Sequence, residues 1–322
     1  MSGYVGVVLA GGRGSRMGPL GDRYPKALLP VANRPLIAHH LQLLRDLGVA
    51  EVFVVTGYRA SDVVQALADG NAQSGLRGPK AESRLTLHFV EQREALGSAH
   101  ALGQLRPYVQ GPFVVILGDY YLSPVNPQAL VRHLDDGCSS AIAARREPNR
   151  RLLSEACELR TDQQGRVTSI VEKPARPSGD LKGCGFYAFQ PEVFDAIART
   201  PRTALRDEYE LTIALELFVE SGHRLVVEEL IEWDQNFTHP ADVLQCNLQW
   251  LAHHGRNELV GEGARVGPQT RLERSVVGAN ARIDDGAALT DVVVFDEASV
   301  TGGTVRRALV TPDALISLPE TQ

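Results

Sequence analysis

The chain of 322 residues is poor in cysteine. Cys138, Cys157, Cys184 and Cys246 are scattered, with no C-x-x-C pair. That excludes a disulfide framework or cysteine-rich metal knuckle and fits small buried apolar side chains in a reducing compartment. No run of Lys or Arg accompanies the net charge of −6, so neither a nucleic-acid nor an anionic-membrane partner is indicated. The nearest thing to a basic patch is Arg145, Arg146, Arg150 and Arg151, interrupted by Glu147, Pro148 and Asn149; it reads as a solvated loop. No apolar stretch is long enough to span a bilayer, and no signal-peptide pattern precedes the first apolar run. The expectation is a soluble, cytoplasmic protein. Ser, His and Asp, or Cys and His, form no arrangement of nucleophile and base, and histidine is absent after His254.

What is present is an ordinary globular balance, 43% hydrophobic and 22% charged, on a chain long enough for two domains. Its organising stretch runs from Tyr4 to Val31. Residues 4–10 are apolar and valine-rich, the pattern of a buried parallel strand. The strand stops in Gly11-Gly12-Arg13-Gly14-Ser15-Arg16, where glycines allow close backbone approach and free N–H groups make an anion nest. Arg13, Arg16 and Lys26 add charge suited to phosphate oxygens. The spacing is not that of a Walker loop. It suggests a polyphosphate held at the C-terminal edge of a parallel sheet.

Along the chain, helices are expected at 35–47, 61–68 and 98–105, alternating with strands at 51–55, 84–90 and 113–117, with 70–83 as loop. Such alternation gives an α/β fold: a Rossmann-like, open, mainly parallel sheet with helices on both faces. Strands dominate from 139 to 189 (139–145, 155–160, 167–171 and 184–189), an insertion expected to supply a second wall of a cleft. Helices return at 191–198, 208–221 and 240–253, with a strand near 224–229. From Val260 apolar residues recur at steps of six or five: Val260, Val266, Leu272, Val277, Ile283, Leu289, Val294, Val300, Val305, Val310. This hexapeptide-like repeat predicts a short left-handed parallel β-helix of about three coils. The expected domains are 1–254 and 258–322.

The string LAGG-x-G-x-R-M at 9–17, followed by YPKALLPVANRPLI at 24–37, resembles the signature of the sugar-1-phosphate nucleotidyltransferases, in their glucose-1-phosphate thymidylyltransferase-like form. The resemblance covers 4–253 and implies a set of roles. Leu9, Ala10, Gly11, Gly12, Arg13, Gly14 and Ser15 would contact the nucleotide, while Arg16 and Lys26 stabilise charge on the triphosphate. Gln92 with Leu96-Gly97-Ser98-Ala99 resembles the base-reading segment, a glutamine amide offering donor and acceptor to a pyrimidine edge, with Gly97 and Ser98 close to the nucleotide. His100, inside that helix, reads as structural. Glu172-Lys173-Pro174 resembles the E-K-P triplet, with Glu172 on sugar hydroxyls and Lys173 on the sugar phosphate; Gly185, in G-C-G-F-Y, would leave room for the ring.

Gly118-Asp119 closes the strand 113–117 with a hard oxygen ligand suited to Mg²⁺. Counting back from Pro240 in W-D-Q-N-F-T-H-P, the family's second metal position falls on Asn236, with Asp234 two residues earlier. Tyr120 replaces the asparagine of G-D-N, and Ile213 stands where E-L-T-D has its acid. The resemblance thus implies Mg²⁺-dependent transfer of a nucleotidyl group from a nucleoside triphosphate, dTTP or UTP first, to a sugar 1-phosphate, glucose 1-phosphate first. Its products are a nucleotide sugar and pyrophosphate. A nucleotide-sugar-binding regulatory or scaffold paralogue is the alternative. The tail, lacking a histidine base, is expected to serve assembly of a homo-oligomer or regulation, and no second activity.

Overall fold

The computed structural model describes residues 3–68, 85–135, 140–203 and 207–319. The expected loop at 70–83 and Cys138 lie outside them. Packing groups the chain into two units that do not follow a sequential boundary at 254–258. One unit comprises Met1–Arg13 with Ile37–Asp234, the other Gly14–Leu36 with Gln235–Gln322.

The first unit is built on a nine-stranded mixed sheet. Its main path runs Val167–Glu172, Cys157–Thr161, Leu181–Phe189, Phe113–Leu117, Val5–Leu9, Glu51–Thr56, Thr86–Glu91. The glycine-loop strand Val5–Leu9 is central and parallel to both neighbours, Val7 pairing with Phe53 and Val115. Val7 and Val8 are fully buried, as a strand covered on two faces requires. Leu181–Phe189 then runs antiparallel to Phe113–Leu117 and to Ser140–Arg146, which pairs in parallel with Leu225–Glu229. The strand-rich insertion is therefore no separate wall. It continues the same sheet, because Leu181–Phe189, buried at all nine residues, is paired along both of its edges. Phe113, Phe189, Phe194 and Phe218 anchor the core, with the helices Ser98–Gly103, Val193–Arg199 and Leu211–Glu220 laid against the strands.

The sequence pattern missed several short elements: the helices Pro19–Arg23, Gln128–Asp135 and Arg150–Ser154, and the paired strands Tyr120–Pro124 and Ile231–Asn236. Arg145 and Arg146 end a strand and are not a solvated loop. Each is paired with two carboxylates, Asp234 and Glu147 for the first, Asp180 and Glu229 for the second.

In the second unit the residues after 257 stack in parallel at a spacing of 17, shortening to 16 where Ala288–Val294 meets Thr304–Thr311. Leu259, Val276 and Val293 form one ladder, and Arg265, Arg282 and Ser299 another. The corners Asn280 and Glu297, and likewise Arg274, Asp291 and Arg307, take positive φ. Val277, Ile283, Leu289, Val294, Val300 and Val310 point into a shared apolar centre, so the five- and six-residue periodicity is that of one side chain per face. Ala314–Ser317 turns back antiparallel onto Thr304–Thr311 and ends the stack.

Candidate active site

In the first unit the backbone beyond Val5–Leu9 is pinned from both sides. Gly118 N–H donates to the Leu9 carbonyl (2.9 Å), Ala10 N–H to that of Val55 (2.7 Å), and Tyr58 N–H to that of Gly11 (3.3 Å). Gly12 and Arg13 are exposed, with the Arg13 guanidinium 5.7 Å from the Tyr58 ring centroid. Rigid walls thus hold an open, positively charged turn.

The loop's other half belongs to the second unit. Gly14 is left-handed, and a 3₁₀ turn at Ser15–Met17 buries Met17 while Ser15 and Arg16 stay exposed. The stem of half-buried Lys26 packs against Gly14. Its charge acts on Asp242, whose carboxyl is raised by burial and drawn back down by bonds to His239 and Thr238 and by the charges of His239 and Lys26. Farther on, Asn247 clasps the turn between Pro30–Val31 and Arg34–Pro35. Its Oδ1 accepts from Ala32 N–H (2.8 Å) and its Nδ2 donates to the Pro30 carbonyl (2.9 Å). Asn33 donates to the Val277 carbonyl (2.8 Å).

Gln92, buried at the end of the edge strand Thr86–Glu91, meets the segment 96–100 as expected. Its Nε2 donates to the Gly97 carbonyl (3.1 Å) and lies 2.9 Å from His100 Nδ1. Gly97 has φ +104°, and a Cβ there would sit 2.5 Å from the Tyr209 carbonyl. Only glycine fits, because residues 209–211 dock on this turn. Tyr209 N–H donates to the Leu96 carbonyl (2.7 Å), Ala99 N–H to that of Tyr209 (2.8 Å), and Leu211 N–H to Ser98 Oγ (3.0 Å). The Ser98 hydroxyl therefore caps the helix Leu211–Glu220, which begins three residues later than 208 because both backbone polar groups of Tyr209 are spent on this contact. Sequence spacing gave no sign of that docking.

Asp119 occupies the two-residue turn between Phe113–Leu117 and Tyr120–Pro124, half-buried. The Tyr120 hydroxyl is pushed well up, by burial first and then by Asp119, Asp234, Tyr187 and Glu172. The Tyr187 hydroxyl is raised too, by burial, then by Cys157, Glu172, Cys184 and Asp119. Asp119 and Glu172, far apart in sequence, are thus brought round the same two tyrosines. Beneath them His40, fully buried, donates from Nε2 to the Tyr120 carbonyl (2.6 Å), and burial pulls its imidazole down to about 4. The sequence reading did not single out His40.

Lys173, next to Glu172, is left-handed at φ +47° and donates its N–H to the Ala156 carbonyl (2.8 Å). A non-glycine residue in that region is uncommon and is held there by its surroundings. Glu158 anchors the turn that follows, accepting from Ser178 N–H and Oγ and from Gly179 N–H. Burial would raise its carboxyl, yet those bonds hold it low. Gly185 sits where the pairing with Ser140–Arg146 shifts register, at φ +66°, and a Cβ there would lie 3.2 Å from Leu117. Backbone geometry alone requires glycine here, whatever ring lies above it.

The two candidates for a second metal ligand differ sharply. Asp234 is spent, held by Lys182 Nζ (2.6 Å) and by Arg145 Nε. Asn236 ends the same strand with its Oδ1 buried and without a hydrogen-bond partner among the described residues. An orphaned carbonyl oxygen is what a hard cation accepts. No cluster of three or more His, Cys, Asp or Glu side chains able to hold a metal occurs among the described residues.

Residues 5–235 match the family model described as Nucleotidyl transferase. The chain is 31% identical over 243 residues to the low-salt glycan biosynthesis nucleotidyltransferase Agl11 of Haloferax volcanii, spanning 75% of this chain and 64% of that protein. It is 27% identical over 332 residues to a glucose-1-phosphate thymidylyltransferase of Streptomyces antibioticus, with 97% and 88% covered. It is 29% identical over 236 residues to the UTP–glucose-1-phosphate uridylyltransferase AglF of Haloferax volcanii, with 73% and 92% covered. Among solved structures, a UDP-glucose pyrophosphorylase complexed with UDP-glucose superposes with TM-score 0.67 at 19% identity, over 78% of this chain and 99% of that one. At that identity the match speaks for the fold alone. Among the described residues no helix is long and apolar enough to cross a membrane. A pinned glycine loop, an α/β sheet of the same fold and a family match across 5–235 agree, and the chain belongs to the sugar-1-phosphate nucleotidyltransferase family.

Proposed function

We propose that this enzyme transfers a nucleotidyl group from UTP or dTTP to glucose 1-phosphate, with release of pyrophosphate. The observation that carries the reading is the glycine loop, exposed with Arg13 and Arg16 and rigidly backed by Leu9, Ala10 and Gly11. In-line attack of one phosphate on another needs positioning and charge neutralisation more than a protein nucleophile. Arg16 and Lys26 neutralise the triphosphate, and the loop N–H groups of residues 11–15 fix it. Lys173, on its constrained backbone, holds the attacking phosphate, and Glu172 takes sugar hydroxyls. Asp119 and the unpartnered Asn236 oxygen would hold Mg²⁺, which when bound supplies charge stabilisation to the phosphate oxygens.

The catalytic part is assigned to 1–254. The stacked tail 258–322 is assigned as a left-handed parallel β-helix through which copies of this cytoplasmic chain assemble, a state that light scattering reads directly. The deciding experiment is pyrophosphate release with magnesium, a panel of triphosphates and a panel of sugar 1-phosphates. Turnover with UTP or dTTP and glucose 1-phosphate is expected. Turnover confined to ATP or GTP, or none with any pair, refutes the proposal.

A further inference from the structure

Three side chains in the first unit form a relay that the resemblance leaves without a purpose. Gln92 Nε2 has both hydrogens committed, one to the Gly97 carbonyl at 3.1 Å and one toward His100 Nδ1 at 2.9 Å. A backbone carbonyl can only accept, so the Gln92 amide cannot turn over without losing that bond. His100 Nδ1 must then also accept, which places the imidazole proton on Nε2. Gln104 stands 3.1 Å from that nitrogen. With its amide turned to bring the oxygen forward, which gives up the long 3.4 Å bond from its Nε2 to the His100 carbonyl, Gln104 takes the proton and closes the relay. His100 is further held by the Tyr209 ring, with 6.2 Å between centroids.

What remains of Gln92 is Oε1. It has no hydrogen-bond partner among the described residues, and it lies on the side of Gly11, 3.1 Å from where a Cβ of that glycine would be. A free glutamine offers donor and acceptor alike and tolerates either base edge. This one offers an acceptor alone.

We infer that His100 is a positioning residue for base selection, the second hold that with the Gly97 carbonyl fixes Gln92 so that its bare oxygen admits bases with a ring N–H and refuses those with a ring lone pair. The inference rests on the proposed nucleotide site. Uracil and thymine bring N3–H to Gln92 Oε1. Cytosine brings the N3 lone pair, leaving two acceptors face to face. UTP and CTP otherwise match in size, so their ratio isolates the effect. A site built around one hydrogen bond rejects the analogue lacking it strongly, by on the order of a hundredfold or more.

The test compares kcat/KM for UTP and CTP, at fixed glucose 1-phosphate, in the wild type, His100→Leu and His100→Asn. In His100→Leu the amide keeps only one of its two hydrogen bonds, that to the Gly97 carbonyl, so its hold is weakened, and the UTP/CTP ratio is expected to fall at least tenfold, mainly through a higher KM for UTP. In His100→Asn the ratio is expected to survive, because Oδ1 hangs on Cγ where Nδ1 did. Should leucine lower the melting temperature, equilibrium binding of UTP and CTP to His100→Ala, followed by intrinsic fluorescence, makes the same comparison. An unchanged ratio, or an equal loss with both nucleotides, overturns the inference and leaves His100 as packing. A wild type that turns over UTP and CTP equally overturns it too, while the assigned reaction stands. A wild type that releases pyrophosphate with no triphosphate refutes the assigned reaction instead.

Discussion

Asp234→Asn separates a structural carboxylate from a metal-binding one. The Asp234 side chain is wholly buried, and both cations it holds are largely buried, Lys182 at 10% and Arg145 at 17% side-chain exposure. Arg145 keeps Glu147 at 2.8 Å when Asp234 loses its charge. The Lys182 ammonium loses the carboxylate 2.6 Å away and stays in a low-dielectric interior. Removing one partner of such a pair costs about 3–5 kcal/mol, a large fraction of the roughly 5–15 kcal/mol that holds a domain together. Urea unfolding should show a lower midpoint at unchanged slope, the mark of lost stability without a change in exposed surface. The double substitution Asp234→Leu with Lys182→Met, apolar on both sides, should recover most of the loss. An unmoved midpoint together with a raised magnesium requirement would refute this reasoning and make Asp234 a ligand.

Arg16→Ala should lower turnover by about 2–4 kcal/mol of transition-state stabilisation with little change in melting temperature, since the side chain is exposed and its proposed role is that of a preorganised donor; near-normal turnover removes it from the site. Asp119→Asn should abolish magnesium-dependent turnover, whereas Asn236→Ala should only raise the magnesium needed for half-maximal rate, a neutral carbonyl giving less to a divalent ion than a carboxylate; a magnesium titration of both variants checks it. His40 adds a pH dependence. Its imidazole is pulled from 6.5 to about 4 in the fold, so below pH 6.5 the unfolded chain binds a proton that the folded one does not. Stability should fall by about 1.4 kcal/mol per pH unit from there down to about 4, near 3 kcal/mol in all, and no further below. Urea midpoints at pH 7, 6, 5 and 4 should show this slope, and His40→Asn should flatten it.

The parts legible in the sequence were those written in contiguous residues. Val5–Leu9 and Phe113–Leu117 announce themselves as unbroken apolar runs, and the glycine loop follows the first without interruption. The ladder of the tail shows in the spacing of its valines. What stayed hidden depends on pairs formed across the fold. Arg145 looks like any surface arginine until Asp234, 89 positions away, is seen beside it. The delayed start of Leu211–Glu220 is set by Ser98, 113 positions upstream. Tyr120–Pro124 and Ile231–Asn236 are short and mixed in polarity, so no period marks them as strands. Asp234 and Asn236 could not be told apart by counting from Pro240, because the difference lies in which of them already has cations for company.

The clasp of Asn247 on Ala32 and Pro30 closes across 215 and 217 positions of chain. A ribosome adding about 5–20 residues per second needs roughly ten to forty seconds to cover that distance. Through that interval the segment bearing Arg16 and Lys26 waits, already synthesised but lacking the side chain that fastens its turn. The glycine-loop end of the enzyme is thus among the first parts made and among the last finished. A nascent or C-terminally clipped chain that stops short of Asn247 carries the arginine and lysine of the loop without the clasp that holds their segment in shape.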